Sequence, residues 1–407
     1  MIKKIPITEL RPGTRIERFT CGWLNHPYLF NRPRIKTDAE IKRLHDWGIT
    51  HVYVREDSVH PDRKEEFDHP PPRPLFPPPD QPLPAFREAK PVPLERELGR
   101  AEQAQHRAKL VTQQLLGSVR SGKELKIREA ESAVNDLNTS ISHNQDALLL
   151  LMRLRKQDQY TFEHSVNVGV LLLALCRSLG LDREITRAIG LGGLLHDVGK
   201  MAVPLEILNK PGALNAEEFG LVKQHVVKCR KILGTIHGLS QPVAQIATEH
   251  HERFDGSGYP LGLSGEAISQ GGQLASIADV FDALSADRCY HKGMEQTEVL
   301  RRLYRWRHTH FNETLVQHFI KCIGIYPPGT LVRLESGLLA VVVESGNSLL
   351  RPVVRLVYDT KREWAVFPSD LDLARPGPGG GDRIIGYEPA ARWGINPLRV
   401  LGVATGS

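Results

Sequence analysis

The sequence has no long apolar run. Its longest, Val168 to Cys176, falls far short of the roughly 20 residues that cross a bilayer. The lysines of Met1-Ile2-Lys3-Lys4-Ile5-Pro6 are followed by no apolar stretch, so a signal peptide is not expected. Cysteine is scarce and odd in number: Cys21, Cys176, Cys229, Cys289 and Cys322 show no paired spacing. This argues against a disulfide framework and for a reducing compartment, so a soluble cytoplasmic protein is expected. No dense Lys/Arg block with interleaved aromatics occurs, so nucleic acid is not an expected partner. The mild formal charge of +6 still suits an anionic substrate. There is no Gly-x-Ser-x-Gly element, no cysteine in a catalytic setting and no phosphate loop ending in Gly-Lys-Ser/Thr. Serine or cysteine nucleophiles and ATPase chemistry are thereby set aside.

What is present is material for several domains. The 407 residues exceed one ordinary core, and 41% hydrophobic with 25% charged residues is the balance of a folded protein. Residues 1–60 read as a small α+β domain, with a short helix from Ile35 to Trp47 and a strand from His51 to Arg55 that turns Val52 and Val54 to one face. Residues 61–93 hold Pro70-Pro71-Pro72 and Pro77-Pro78-Pro79, which deny backbone donors and favour an extended, semi-rigid linker. Residues 94–325 are free of proline until Pro204 and read as long helices to about residue 157, then as helix patterns separated by glycine and proline. After Tyr326-Pro327-Pro328-Gly329 the period changes to short strands at Thr330–Leu334, Leu338–Glu344 and Val353–Tyr358, a small β domain over 326–375. Pro376-Gly377-Pro378-Gly379-Gly380-Gly381 opens an expected flexible tail over 376–407.

The chemistry-bearing residues lie on the helical segment. His164 precedes Val168, Leu171, Leu172, Leu175 and Leu179 at helical spacing, so it faces inward, where a core histidine is the alternative to a ligand. Leu194-Leu195-His196-Asp197-Val198-Gly199-Lys200 ends an apolar helix on an imidazole and a carboxylate. That pair is costly to bury unless it is paired or bound to metal. Asn215-Ala216-Glu217-Glu218 has the form of a capping box, and the helix it opens carries His225, as a ligand or an ordinary surface residue. In Glu249-His250-His251-Glu252-Arg253-Phe254-Asp255-Gly256-Ser257-Gly258-Tyr259-Pro260, His250 follows the inward face set by Val243, Ile246 and Ala247. His251 lies about a quarter turn away, so the two imidazoles can reach one metal or two neighbours. Gly256 and Gly258 free the loop for close approach to a ligand, and Pro260 stiffens its exit. Leu274 to Leu284 is apolar nearly all round yet carries Asp279 and Asp282. Asp279 is expected as a ligand, and Asp282 as the partner of a ligand histidine.

Together these residues resemble the HD-GYP family over roughly residues 145–325: Tyr160-Thr161-x-x-His164-Ser165, His196-Asp197-x-Gly199-Lys200, His225, the His250 to Pro260 string, then Asp279. The resemblance implies a mainly α-helical HD-type bundle around a metal site, preceded here by a small α+β domain and followed by a small β domain. It implies hydrolysis of cyclic di-GMP to pGpG or on to GMP. It makes His164, His196, Asp197 and Asp279 ligands of one metal, with Asp197 bridging to a second held by His225, His250 and His251. Two divalent ions per chain, Fe or Mn, are expected. Some family members hold a third ion with a Glu four residues before the first histidine, where this chain has Tyr160. Lys200 would contact phosphate, and Tyr259, Arg288 and His291 the substrate. Cys289 replaces the family's usual Pro, and His291 stands where many members have Arg or Lys, so one phosphate contact is expected to be weakened or made pH-dependent. Residues 1–62, with Trp23-Leu24-x-His26-Pro27 and Gly48-Ile49-x-x-Val52-Tyr53-Val54, resemble the uncharacterised domain that often precedes HD-GYP domains. Protein partners at that domain and a homodimer are compatible expectations. Two other readings stay open: a non-catalytic cyclic di-GMP receptor, and an HD-type phosphohydrolase acting on another nucleotide.

Overall fold

The computed structural model describes residues 2–12, 14, 16–19, 35, 38–46, 49–55, 92–154, 160–210, 212, 214–286, 293–346, 348–375 and 381–403. Residues 61–91 of the expected linker, together with Arg288 and His291, lie outside them. At the N-terminus β1 (Ile2–Pro6), β2 (Ile16–Phe19), α1 (Asp38–Asp46) and β3 (His51–Arg55) form the expected α+β unit. The strands pair antiparallel in the order β1-β3-β2. Val52 and Val54 both face a small core of their own, with Ile5, Ile7, Ile16 and Leu44. This is the period-2 pattern of a half-buried strand.

Helices α2 (Leu94–Arg120) and α3 (Ile127–Leu151) follow. Buried Ala101, Ala104, Ala108, Val111 and Leu115 recur at three and four residues along α2, which supplies its packing stripe. Glu95 and Glu97 in its first turn and Arg120 in its last complement the helix dipole. Helix α3 breaks at Asn144, whose backbone is extended (φ −160°, ψ 105°). Its side chain holds the break by donating to the Val92 carbonyl (2.9 Å) and accepting from Asp146 N (3.0 Å).

The bundle continues with α4 (Tyr160–Ser178), α5 (Arg183–Leu195), α6 (Leu205–Leu208), α7 (Ala216–Gly234), α8 (Gln241–Glu249), α9 (Gln270–Ser285), α10 (Gln296–Arg305) and α11 (Glu313–Ile323). Helices α4 and α9 are buried nearly all round and form its centre. The capping box expected at Asn215 and Glu218 starts α7, with both reciprocal bonds in place. Among the described residues no helix is long and apolar enough to cross a membrane.

A six-stranded sheet closes the chain: β4 (Leu331–Leu334), β5 (Leu338–Glu344), β6 (Val353–Asp359), β7 (Trp364–Ala365), β8 (Asp370–Asp372) and β9 (Ile384–Tyr387), then α12 (Pro397–Val400). Strand β5 is buried on both faces, which explains its unbroken apolar run. Leu339, Val341 and Val343 join the helical core, while Ala340 and Val342 join a second core with Val332, Val354 and Leu373.

The C-terminal residues differ from the flexible tail expected over 376–407. Strand β9 pairs with β4, Trp393 donates to Glu388 (3.1 Å), and Leu401 and Val403 are buried in the main core. The physical reason is composition. The unbroken run of glycine and proline ends at 381; beyond it these residues are isolated, and the chain offers Ile384, Trp393, Leu401 and Val403 as apolar surface.

Candidate metal centre

Five separate helices bring their polar residues to one buried point. His164 projects from the second turn of α4, His196 ends α5, and Asp197 opens the 3-10 turn Val198–Ala202. His225 lies in the middle of α7, His250 ends α8 with His251 next to it, and Asp279 projects from α9. The sequence left His225 between ligand and surface residue; the structure buries it completely.

Asp197 stands at the middle. Its Oδ2 lies 3.7 Å from His164 Nε2 and 3.3 Å from His196 Nε2. Its Oδ1 lies 3.3 Å from His225 Nε2 and 3.8 Å from His250 Nε2. Asp279 is two-sided as well, with Oδ1 3.1 Å from His164 Nε2 and Oδ2 3.8 Å from His251 Nδ1. Three groups have ligand atoms all within 4.8 Å of one another: His164 with His196 and Asp279, His225 with His250 and His251, and His196 with Asp197 and His250.

The hydrogen bonds on the far side of each ring decide what the centre presents. His164 Nδ1 bonds Asp282 Oδ2 (2.7 Å), His196 Nδ1 the Gly193 carbonyl (2.7 Å), His225 Nδ1 the Val222 carbonyl (2.6 Å) and His250 Nδ1 the Ile246 carbonyl (3.1 Å). A nitrogen facing an acceptor carries the proton, so in each neutral ring the Nε2 lone pair points into the centre. His225 and His250 then set two lone pairs 3.4 Å apart. His196 Nε2, Asp197 Oδ1 and His251 Nδ1 are buried with no hydrogen-bond partner. Buried polar atoms without partners are costly, and converging imidazole and carboxylate donors are the set a borderline divalent metal takes. The residues present therefore fit metal ions.

Charge states agree with that fit. Burial lowers His225 to about 4 and His250 and His251 well below the usual imidazole range, which keeps them neutral. Burial alone would raise Asp197, but the Lys200 ammonium with His196 and His225 more than offsets it and holds the carboxyl well below its ordinary value. Asp279 is depressed likewise, against its burial, by His164 and His251 beside it. Donors that have already lost their protons are what metal binding requires.

Lys200 lies directly on Asp197, with 23% of its side chain exposed. Tyr259 stacks on His251 with ring centroids 4.7 Å apart, and Lys223 Nζ is 5.5 Å from the Tyr259 ring centre. Burial pushes the Tyr259 phenol well above its ordinary value, so it stays protonated. The Tyr259–Pro260 peptide is cis. The two loop glycines face protein: a Cβ on Gly258 would lie 2.3 Å from Arg253 N, and Gly256 takes φ +77° beside Ser264. They let the loop fold tightly against the end of α8.

Sequence reasoning missed the anchors of that loop. Glu252 accepts from Leu261 N (2.8 Å) and Leu263 N (3.0 Å), and Glu249 accepts from Ser269 N (2.7 Å) at the start of α9. Burial pushes the Glu252 carboxyl up to about 7, despite those amides. The available signal was two glutamates flanking a histidine pair on an inward helix face.

Fold and centre define a helical metal-binding protein of the HD class, and comparison with known proteins carries this further. The family model for the HD domain matches residues 148–315, and that for a domain of unknown function, DUF3391, matches residues 2–130. The chain is 38% identical over 403 residues to the cyclic di-GMP phosphodiesterase PA4108 of Pseudomonas aeruginosa, covering 98% of this chain and 95% of that protein. It is 35% identical over 219 residues to the 3'3'-cGAMP-specific phosphodiesterase 1 of Vibrio cholerae, covering 54% of this chain and 45% of that one. Among solved structures, Bd1817, a HDG"Y"P protein from Bdellovibrio bacteriovorus, is similar at a TM-score of 0.47 and 19% identity, over 79% of this chain and 99% of its own. The chain belongs to the HD-GYP family of cyclic di-GMP phosphodiesterases.

Proposed function

We propose that the protein hydrolyses cyclic di-GMP to linear pGpG or on to GMP at the centre built around Asp197. The observation that carries this is Asp197 itself, whose two oxygens face two different histidine sets at 3.3 Å each. His164, His196, Asp197 and Asp279 would hold one ion, and Asp197 with His225, His250 and His251 a second. The ions are Fe or Mn, as imidazole and carboxylate donors suit. When bound, they supply an activated water and neutralise the charge of the phosphodiester.

The chain's own residues do the remaining work. The backbone carbonyls and Asp282 hold the imidazole protons away from the centre, so no ligand need lose a proton there. Lys200, three residues past Asp197 in sequence and part open to solvent, adds fixed positive charge where charge develops on phosphorus oxygens. Tyr259, kept as a phenol and stacked on His251, and the loop of Gly256 and Gly258 would lie beside the substrate, with Arg288 and His291 completing its contacts. Two ions are favoured over three because position 160 holds Tyr, a poor ligand at neutral pH. Nearby Glu163 is bound by Lys109 from α2 (3.0 Å). The buried free thiols Cys176, Cys229 and Cys322 fit a reducing cytoplasm. The N-terminal unit, with its own core, is read as the regulatory or partner-binding part, and a homodimer is compatible with it.

The test is to load reduced protein anaerobically with Fe²⁺ or Mn²⁺, incubate it with cyclic di-GMP and with 3'3'-cGAMP, and separate the products. Formation of pGpG supports the proposal. Tight binding without cleavage means a receptor, and cleavage of 3'3'-cGAMP alone means a different cyclic dinucleotide is the substrate.

A further inference from the structure

Gly199 has no room for a side chain. A Cβ there would fall 2.0 Å from the His225 carbonyl oxygen and 2.7 Å from Cys229 N, so α7 lies directly on the turn that carries Asp197 and Lys200. Cys229, one helical turn past His225, is completely buried at this contact. Its Sγ accepts from Gly199 N (3.1 Å) and donates to the His196 carbonyl (3.1 Å). Lys228 beside it donates to the Ala202 carbonyl (2.5 Å), at the other end of the same turn. Burial pushes the thiol up to about 12, so it keeps the proton it donates. One S–H and one sulfur acceptor thus satisfy a carbonyl at the end of α5 and an amide at the start of the next turn. Neither group has an intrahelical partner at a helix end.

We propose that Cys229 is a positioning residue for the metal pair. Its thiol sets the spacing between the turn that carries His196, Asp197 and Lys200 and the helix that carries His225. This rests on reading the site as a two-metal centre. The segments on either side of the thiol supply ligands to both ions, so a change in their spacing moves Asp197 relative to His225. Alanine would leave a buried amide and a buried carbonyl unpaired and a gap between the segments. Serine keeps donor and acceptor on a shorter bond and reaches them less well.

The experiment compares Mn²⁺ affinity, by titration against a competing chelator, in the full chain and in Cys229→Ala, Cys229→Ser and Cys322→Ala. Cys322 is another buried thiol, on α11 beside Ser178 at the opposite end of α4 from His164, so it controls for loss of a core thiol. Affinity should fall about tenfold or more in Cys229→Ala, the usual effect of removing a support behind a ligand, and by less in Cys229→Ser. Cys322→Ala should lower the melting temperature but bind Mn²⁺ as wild type does. If Cys229→Ala does not fold, a measurably weakened Cys229→Ser carries the test. Wild-type affinity in any folded Cys229 variant, or equal weakening in Cys322→Ala, overturns the proposal. A wild-type protein that binds no Mn²⁺ overturns the two-metal reading instead.

Discussion

Asp282 Oδ2 lies 2.7 Å from Nδ1 of His164, while Nε2 of the same ring lies 3.1 Å from Asp279 Oδ1. One carboxylate of α9 thus orients the imidazole that the other carboxylate of α9 meets. Removing the orienting group in Asp282→Ala should lower metal affinity by about 10- to 100-fold while the fold survives. A chelator titration checks this, and undiminished affinity would show that His164 is held by packing alone.

The pair at the end of α5 supplies donors to two of the three ligand groups. The double variant His196→Ala with Asp197→Ala should lose most of its metal and all turnover. Elemental analysis of protein purified without added metal is the direct check. Full metal content with full activity would remove Asp197 from the centre.

Lys200, which lies on Asp197, is proposed to supply charge and no ligand atom. Lys200→Ala should keep its metal but lose rate by about a hundredfold, as loss of one transition-state charge donor does. Turnover at saturating substrate decides the matter, and an unchanged rate would refute the role.

Much of this was legible in the sequence because buried helices leave a strict periodic record. His164, His250 and Asp279 each sit in an apolar helix pattern that points inward, and each is buried where that pattern placed it. His225 was ambiguous because its burial depends on elements far off in sequence: the turn at Gly199 lies against its backbone, and Asp197, His250 and His251 surround its ring. The two-sidedness of Asp279 has no sequence signature, since it depends on where His251 lands after α8 ends. Glu249 and Glu252 were missed because their partners are backbone amides 9 to 20 residues away. The tail was misjudged because six Gly/Pro residues outweighed the apolar residues that follow.

The junction between the sheet and the helices carries its own pH dependence. Asp146 is buried and accepts from Ser345 N and Ser345 Oγ (3.0 Å), and burial raises its carboxyl from 3.8 to about 6. Glu344, next to Ser345, adds to that rise. Between those values the folded chain holds a proton that the unfolded chain has lost. Stability is therefore greatest below the ordinary carboxyl value and falls as pH rises through about 6, by about 3 kcal/mol in all. Asp146→Asn cannot ionise, so its stability relative to wild type should improve between about pH 4.5 and about pH 7.5 in urea unfolding. A difference that stays constant across that window would contradict this.

If Asp197 joins two ions into one phosphodiester-cleaving site, turnover depends on both being bound. The most direct measurement is cyclic di-GMP turnover as a function of Mn²⁺ bound per chain, with metal added anaerobically in steps. Little pGpG is expected until the second equivalent binds, because one ion alone would not stabilise both the attacking and the leaving oxygen. Full turnover at one bound ion, or none at two, would contradict it.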